Sequence, residues 1–418
     1  MKMLLYIDPG TGSMLFTIII GIISASVFFL RALFIKIKFY FSGGKSAADA
    51  AKNADKMDYC IFSDSKRYWN VFKPICDEFE QRKLKLFYFT ASPDDPALDE
   101  QYEYVKCEFI GEGNKAFSRL NMMKARVCLS TTPGLDVYQW KRSKDVDYYI
   151  HIYHAIDEGL GYRMFGVDFY DAVLLTGEFQ GDNIRKLEAL RNLPAKELCV
   201  TGSTYMDAMK KRLDESNLEK DAQKDKVKTV LLAPSWGESS ILNRYGEKII
   251  RALIATGYKI IVRPHPQMAI SDAELLNSLK EKFPENEMFS WNADNDNFDV
   301  LKQSDVMITD FSGIIFDYCL VFDRPLIYAD TSMNLDPYDA AWIDEPLWRF
   351  EVLKKLGIKL EEKDFDNMKQ VIDSLSESDI YRQGREEVKN TAWQLIGQSA
   401  EKTVDYLVKK HDEQDNNQ

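Results

Sequence analysis

The sequence predicts an α/β fold with two Rossmann-like domains that face a cleft, preceded by one N-terminal transmembrane helix. From residue 59 onward, short apolar segments alternate with helical segments, which is typical of parallel sheets covered by helices. One charged stretch, Asp214–Lys228, has no apolar stripe and interrupts this alternation. A long uncharged stretch lies near the N-terminus. These three features predict a membrane-spanning segment followed by two domains.

The composition is that of an acidic globular protein. The 418 residues are 45% hydrophobic and 29% charged, which is enough chain for two or three domains. A net charge of −12 provides no basic excess, so general binding to nucleic acid is excluded, although a local pocket for a small phosphorylated ligand is not. The six cysteines contain no Cys-x-x-Cys pair, which argues against a zinc or redox motif and indicates a reducing compartment.

The uncharged stretch near the N-terminus has the length of a transmembrane helix. Pro9–Leu30 contains 22 residues without a charge, and Met14–Leu30 is almost entirely apolar. As a helix the second range spans about 25 Å, and snorkelling of Arg31 lets the apolar residues behind it extend the span towards about 30 Å. A cleaved signal peptide is the alternative, but its apolar region has about 7–15 residues and follows positive charge.

Positive charge lies mainly behind the predicted helix, and only Lys2 precedes it. The basic residues that follow it are Arg31, Lys36, Lys38 and Lys45. Because positive residues stay inside, everything after residue 35 is expected in the cytoplasm of a single-pass protein of the cell membrane. Residues 1–41 are predicted to be the anchor with its basic juxtamembrane segment, and residues 42–57 to be a linker.

The charged stretch divides the rest of the chain into two domains. We predict an N-terminal domain at 58–213, a linker at 214–228, a C-terminal domain at 229–385, and a C-terminal helix with a polar tail at 386–418. Predicted strands lie at 59–62, 86–90, 105–110, 127–130, 148–153, 172–175, 198–201, 229–233, 259–262, 288–291, 306–309 and 326–328. After Asp330 only helical pattern remains, with one long helix around Glu386–Lys410. By analogy, two such domains with a returning C-terminal helix describe the GT-B architecture of many nucleotide-sugar transferases.

Ligands of open parallel sheets bind beyond the carboxyl ends of the strands, so polar residues at strand ends are the candidates for a site. In the C-terminal domain, one apolar strand ends in Arg263-Pro264-His265-Pro266. The guanidinium matches phosphate geometry, the imidazole adds a donor, and the two prolines fix the loop. This pattern predicts phosphate binding, and a chance turn with a surface arginine is the alternative.

Two further strand ends of the C-terminal domain carry polar residues. After Thr309-Asp310, Ser312 is a predicted N-cap, and Gly313 permits close approach of a pyrophosphate to the helix amides. An ordinary capped helix is the alternative. In the other loop, Ser235 is a candidate phosphate ligand and Trp236 a candidate wall of the base pocket, although a structural tryptophan fits equally well.

The N-terminal domain contributes the candidate catalytic residues. Two of the four histidines lie in one segment, His151 inside a predicted strand and His154 at its end. His154 is the candidate general base, and Asp157 or Glu158 is the candidate group that orients it. His151 is interpreted as a core residue.

At these residues the sequence resembles the CDP-glycerol glycerophosphotransferase family, which includes the primases and polymerases of teichoic acid synthesis. The resemblance covers about residues 145–330. Arg263–Pro266 matches the family's R-P-H-P, and Ser304–Asp317 matches S-D-x-x-I-T-D-[YF]-S-S-x-x-F-D. Thr201-Gly202-Ser203 with Asp207 is similar to G-x-P-R-x-D without the Pro-Arg. The chain departs at His154–Asp157, where the family has H-G-T-P, and at Gly313, where it has a second serine.

The resemblance implies a membrane-anchored transferase that uses CDP-glycerol or a related nucleotide-activated donor and a lipid-linked glycan acceptor. His154 would be catalytic as the base, and CMP would leave after attack on the glycerol-bearing phosphorus. The catalytic role of Asp157 rests on its place near His154 in the sequence and not on the resemblance. The implied donor-binding residues are Ser235, Trp236, Arg263, His265, Thr309, Asp310, Ser312, Gly313 and Asp317. The C-terminal domain would hold the donor and the N-terminal domain the acceptor.

Two other functions stay open. One is a GT-B glycosyltransferase that uses a nucleotide sugar for envelope or capsule polysaccharide. The other is a non-catalytic relative, which the altered segment at His154 suggests. Neither a cofactor nor a metal is predicted, because the carboxylates of Asp294, Asp296 and Asp299 fit a solvated loop better than a metal site.

Overall fold

The computed structural model describes residues 56–217, 227–294, 296–329, 333–377 and 380–416. The predicted transmembrane helix and nearly all of the linker at 42–57 lie outside these residues. Within them, no helix has both the length and the apolar character needed to cross a bilayer. The membrane anchor therefore stays a prediction.

The N-terminal domain is a parallel sheet with helices on both faces. The described residues give it seven strands in the order β3-β2-β1-β4-β5-β6-β7. The strands are β1 (Met57–Ser63), β2 (Leu86–Thr90), β3 (Val105–Phe109), β4 (Ala125–Ser130), β5 (Val146–Ile152), β6 (Ala172–Leu175) and β7 (Glu197–Val200). The helices are α1 (Trp69–Gln81), α2 (Asn114–Leu120), α3 (Phe179–Arg191) and α4 (Thr204–Asn217). Along β1, Ile61 and Phe62 belong to apolar clusters on opposite faces, so both faces are buried.

The C-terminal domain repeats this arrangement with six strands among the described residues, in the order β10-β9-β8-β11-β12-β13. The strands are β8 (Thr229–Ala233), β9 (Lys259–Val262), β10 (Phe289–Trp291), β11 (Val306–Thr309), β12 (Leu326–Ala329) and β13 (Gly357–Leu360). The helices are α5 (Ile241–Tyr245), α6 (Glu247–Ile254), α7 (Met268–Ser271), α8 (Ala273–Lys282), α9 (Phe298–Gln303), α10 (Ile314–Phe316), α11 (Trp348–Leu356), α12 (Met368–Glu377), α13 (Arg382–Ala392) and α14 (Ser399–Asn416).

Two parts of the predicted secondary structure need correction. The segment after Asp330 is not only helical, because Gly357–Leu360 pairs in parallel with β12 as an edge strand. The single helix predicted around 386–410 is two helices, α13 and α14, separated at residues 393–398. The charged stretch at 214–228 is expected to contain a helix end and a linker, and α4 does continue into it to Asn217.

The strand order of each sheet reverses at one place. In the first sheet the chain runs outward from β1 to β3 and then returns to place β4 on the other side of β1. In the second sheet β8 and β11 are related in the same way. Loops diverge at such a point and leave a crevice beyond the strand ends, where ligands of open α/β sheets bind.

The chain crosses from the second domain back to the first at residues 393–399. Asp207 of α4 fixes this crossing, because its carboxylate accepts hydrogen bonds from Trp393 Nε1 at 3.0 Å and from the Ser399 amide at 3.1 Å. Beyond the crossing, α14 packs its apolar side chains, among them Val404 and Leu407, on one face of the first sheet. The returning C-terminal helix expected for this architecture is thus present.

Candidate active site

A cavity of about 450 Å³ lies between the two domains, beyond the strand ends of both sheets. It is lined by most of the residues that the sequence predicts for catalysis and donor binding, namely His154, Asp157, Arg263, His265, Ser312, Gly313 and Asp317. A second cavity of about 560 Å³ shares Asp157, His265, Ser312 and Gly313 with the first and adds Ser235 and Trp236. Thr309 and Asp310 line neither cavity.

His154 follows β5 and is held from two sides. Its Nδ1 lies 3.2 Å from Thr131 Oγ1 in the loop after β4, and its ring packs on Tyr68 with a centroid distance of 4.8 Å. In the tautomer that donates Nδ1–H to Thr131, Nε2 is a free proton acceptor, since it has no partner among the described residues. Burial lowers the pKa of His154 while the Asp157 carboxylate opposes the shift, so the ring is neutral near neutral pH.

Asp157 does not orient His154 as the sequence suggested. Its carboxylate forms an ion pair with Arg349 of α11 and accepts a hydrogen bond from the Gly159 amide at 2.8 Å. The neighbouring Glu158 is fully buried, and its carboxylate lies 3.4 Å from Arg349 Nε. Thr131 and Tyr68 therefore position the histidine, whereas Asp157 and Glu158 hold an arginine of the other domain.

His265 follows β9 and is a neutral hydrogen-bond donor. Its Nδ1 accepts a hydrogen bond from the Gln267 amide at 3.1 Å, so the proton of the neutral ring is on Nε2. Burial lowers the pKa of His265 to about 4, with the positive charges of Arg67 and Arg263 adding to the effect. An Nε2–H donor beside an anionic ligand suits phosphate binding.

Arg263 lines the cavity, but its guanidinium is largely engaged by the protein. Nε donates to Asn297 Oδ1 at 2.9 Å, Nη1 bonds the Asn292 side chain, and Nη2 donates to the Asp294 carbonyl at 2.8 Å. The side chain is only 7% exposed, and burial lowers its pKa. Three of its five N–H donors thus fix the loop after β10, which corrects the expectation of an open fork for phosphate.

Asp310 and Thr309 build the loop after β11 without facing a ligand. The Asp310 carboxylate is 1% exposed and accepts hydrogen bonds from the amides of Ser235 and Ile241, each at 2.9 Å. Thr309 Oγ1 donates to the Ala233 carbonyl at 2.6 Å. Both residues therefore tie the loop after β11 to the strand end and loop of β8, and their role in donor binding stays a prediction.

Ser312 and Gly313 reach both cavities from the same loop. Ser312 does not cap a long helix as predicted, because α10 is a single turn without a side-chain cap and continues as a π-helical turn at Asp317–Val321. Gly313 has φ of −61°, and a Cβ placed there would contact no described atom outside its immediate neighbours. The loop thus presents the Ser312 hydroxyl and an open backbone to a ligand.

Asp317 has a carboxyl group with a raised pKa. Its Oδ2 accepts a hydrogen bond from Tyr205 at 3.1 Å and lies 3.5 Å from Asn297 Nδ2. Burial raises the pKa of Asp317 to about 7, although both hydrogen bonds oppose the shift. It therefore places either a negative charge or an O–H donor in the cavity within the physiological pH range.

The second cavity has the features of a nucleoside site. Ser235 Oγ is buried at the cavity wall, next to the Asp310 carboxylate. A hydroxyl at this place can form a hydrogen bond with a bound polar group. The centroid of the Trp236 ring lies 6.4 Å from that of the His265 ring, so an aromatic surface lies next to the histidine that is predicted to bind phosphate.

Several cavity residues were not predicted from the sequence, among them Arg67, Tyr68, Tyr205 and Arg349. Arg67 and Arg349 stand in helical segments, where an arginine is ordinarily a solvated side chain, and no local pattern distinguishes them. In the part of the chain that the structure describes, no group of three or more His, Cys, Asp or Glu side chains is placed to hold a metal ion.

Comparison with solved structures shows the same fold in UDP-GlcNAc 2-epimerases. The enzyme of Methanocaldococcus jannaschii, in complex with UDP-GlcNAc and UDP, matches with a TM-score of 0.53 and 13% identity over 84% of this chain and 100% of its own. That of Neisseria meningitidis, bound to UDP-GlcNAc, matches with a TM-score of 0.52 and 13% identity over the same shares. At such identity the likeness supports the predicted two-domain GT-B architecture and nothing further.

Sequence comparison gives the family. No curated protein matches the chain in sequence. The model of the family described as CDP-glycerol:poly(glycerophosphate) glycerophosphotransferase matches residues 169–408, which is more than half of the chain and contains Arg263, His265 and Ser312. His154 and the first five strands precede the matched range. The chain belongs to the CDP-glycerol:poly(glycerophosphate) glycerophosphotransferase family and is a transferase that uses a nucleotide-activated donor.

Proposed function

We propose that this chain transfers glycerol phosphate from CDP-glycerol to a hydroxyl group of a lipid-linked or envelope glycan and releases CMP. The observation that carries the proposal is that His154, His265 and Ser312 line one cavity, although they come from two domains. A neutral base therefore faces donors suited to phosphate across a space large enough for the reacting groups. Family membership supports the choice of CDP-glycerol as donor.

The donor would lie across both cavities. His265, Ser312 and Gly313 line the two of them, so the diphosphate belongs at these shared residues. The nucleoside would then occupy the second cavity, beside Trp236 and the buried Ser235 hydroxyl. The glycerol phosphate would extend into the first cavity, towards His154.

The chemistry follows from this placement. Nε2 of His154 removes the proton of the acceptor hydroxyl, and the oxygen attacks the phosphorus that carries glycerol. The bond from this phosphorus to the oxygen of CMP breaks, and CMP takes the negative charge. Hydrogen bonds from His265 and Ser312 stabilise that charge as it develops. No covalent intermediate with the protein is required.

Membrane attachment is part of the proposal and rests on the sequence. The uncharged stretch at Pro9–Leu30 and the basic residues behind it support a single-pass anchor with the two domains in the cytoplasm. An anchor next to the domains would keep the cavity close to a lipid-linked acceptor.

The test uses the full chain in detergent with labelled CDP-glycerol and a lipid-linked glycan, scored for CMP release and for the mass gained by the acceptor. We expect a gain of glycerol phosphate, and His154→Gln should reduce turnover by about 10²–10⁴-fold because the general base is lost. His411→Gln is the matched control, since His411 lies on α14, outside both cavities.

Three results would contradict the proposal. A hexose gain with a nucleotide sugar would assign the chain to glycosyl transfer. Binding of CDP-glycerol without release of CMP would identify a non-catalytic relative. Unchanged turnover in His154→Gln would remove the histidine from the mechanism.

A further inference from the structure

The diphosphate of CDP-glycerol carries about two negative charges, so a cavity that binds it needs positive charge in its wall. Both candidate histidines are neutral, because burial lowers the pKa of each. Three arginines line the first cavity and can supply this positive charge, Arg67, Arg263 and Arg349.

Two of these arginines are already engaged. Arg263 uses three N–H donors on Asn292, Asp294 and Asn297. The charge of Arg349 is balanced by Asp157 and Glu158, and its Nη1 donates to the Phe311 carbonyl at 3.2 Å.

Arg67 is different, because its guanidinium is exposed and forms no ion pair or hydrogen bond with any residue that the structure describes. It is the available cation of this cavity among the described residues.

The backbone around Arg67 is fixed, so the position of this cation is defined. Arg67 belongs to a 3₁₀ turn at Lys66–Tyr68, just after β1, where the order of the first sheet reverses. The Ser65 side chain caps the turn, and the Lys66 amide donates to Ser92 Oγ at 3.0 Å. Tyr68 packs on His154 with a centroid distance of 4.8 Å.

Arg67 lies in the N-terminal domain, like His154, but its charge acts on His265 of the C-terminal domain. Arg67 and His265 line the same cavity from the two domains, and the positive charge of Arg67 contributes to the low pKa of His265. The charge is therefore close to the place where the acceptor oxygen would meet the donor phosphorus.

We propose that Arg67 is a catalytic residue that binds the donor diphosphate from the N-terminal domain, at the phosphate group that is transferred. The proposal rests on the proposed function for the identity of the donor. A guanidinium at this position stabilises the negative charge that spreads over the phosphate oxygens during transfer. The N-terminal domain then supplies both the base and the charge, while the C-terminal domain holds the nucleotide.

The test compares Arg67→Gln, which removes the charge, with Arg67→Lys, which keeps it. In Arg67→Gln we expect kcat/KM for CMP release to fall by about 10²–10³-fold, the range for loss of one charge-stabilising group. By calorimetry, affinity for CDP should fall at least about tenfold, and affinity for CMP should fall less because CMP lacks the second phosphate. Arg67→Lys should recover part of both losses. Arg119→Gln is the control, because this exposed arginine pairs with Glu108 at 2.6 Å and lines neither cavity.

Several outcomes would overturn the assignment. Unchanged CDP affinity and turnover in Arg67→Gln would do so, and so would a rise confined to the KM of the acceptor. A larger loss in Arg163→Gln would move the role to the exposed arginine of the second cavity. If the wild type binds CDP but releases no CMP, the proposed function fails while the CDP affinities still decide on Arg67. If it does not bind CDP, both fail.

Discussion

Asp317 and Arg263 show how burial changes the role of a charged residue. Both line the first cavity, and both lie within the residues that the family model matches. Burial raises the pKa of the Asp317 carboxyl, which favours its neutral form, and lowers the pKa of the Arg263 guanidinium, which still keeps its positive charge. In its protonated form, Asp317 can exchange hydrogen bonds with an anionic ligand without strong repulsion.

The raised pKa of Asp317 predicts a pH-dependent stability that Asp317→Asn removes. The pKa is about 7 in the folded chain, against the usual 3.8, so the unfolded chain loses this proton first. Stability is therefore lost as pH rises from about 4 to about 7 and stays lower above that range. Relative to the wild type, the variant should gain on the order of a few kcal/mol in unfolding free energy between pH 5 and pH 8. Urea unfolding at both values measures the gain.

The control for this experiment is Asp366→Asn, because Asp366 is exposed, in the 3₁₀ turn at Glu362–Asn367. It should show the same change with pH as the wild type. If the unfolding free energies of Asp317→Asn and of the wild type changed with pH in the same way, the raised pKa assigned to Asp317 would be wrong.

The sequence predicted the site residues that follow strands and missed those that stand in helical segments. His154, His265 and Ser312 could be found because polar residues at the ends of apolar strands mark the ligand side of a parallel sheet. Arg349 could not, since its partners Asp157 and Glu158 are 192 and 191 residues away in sequence. The hydrogen bonds of Arg263 could not be predicted either, because they depend on the conformation of the loop after β10.

Among the elements, the central strands were predictable and the edge strand was not. Strands such as β8 and β11 are buried on both faces, so they are continuous apolar runs bounded by polar residues. β13 has only four residues, contains the exposed Lys359, and directly follows α11. The sequence of β13 therefore looks like the end of the preceding helix, and only its pairing with β12 identifies it as a strand.

The register of this edge strand predicts a large effect for Gly357→Ala. Gly357 pairs with Leu326 of β12, and a Cβ at Gly357 would overlap the carbonyl oxygen of Leu326. Backbone atoms cannot move aside as a flexible side chain can, so we expect a loss of roughly 3 kcal/mol or more in unfolding free energy. Gly313→Ala is the matched control and should stay within about 1 kcal/mol, because it has open space and a helical φ. Equal denaturation midpoints for the two variants would contradict the register.

At the scale of the whole molecule, the second domain returns to the first through two segments. One is the crossing at 393–399 held by Asp207. The other precedes α11, where the Asp339 carboxylate accepts hydrogen bonds from the amides of Phe165 and Gly166 and pairs with Arg191. The way the two domains are held together therefore depends on contacts between residues far apart in sequence.

Arg349 joins the two domains at the cleft itself, which predicts that Arg349→Met destabilises the protein strongly. It would leave Glu158, fully buried and with its pKa already raised by burial, without a partner. Breaking a buried pair from one side costs about 3–5 kcal/mol, whereas Glu158→Gln in the same chain should recover about half of that loss or more. Thermal and urea unfolding of the single and double variants measure the coupling. Lys186→Met is the control, because the exposed ion pair of Lys186 with Glu345 also connects the two domains and should contribute at most about 1 kcal/mol. If Arg349→Met and Lys186→Met lost the same unfolding free energy, the buried pair could not be what holds the walls of the cleft in place.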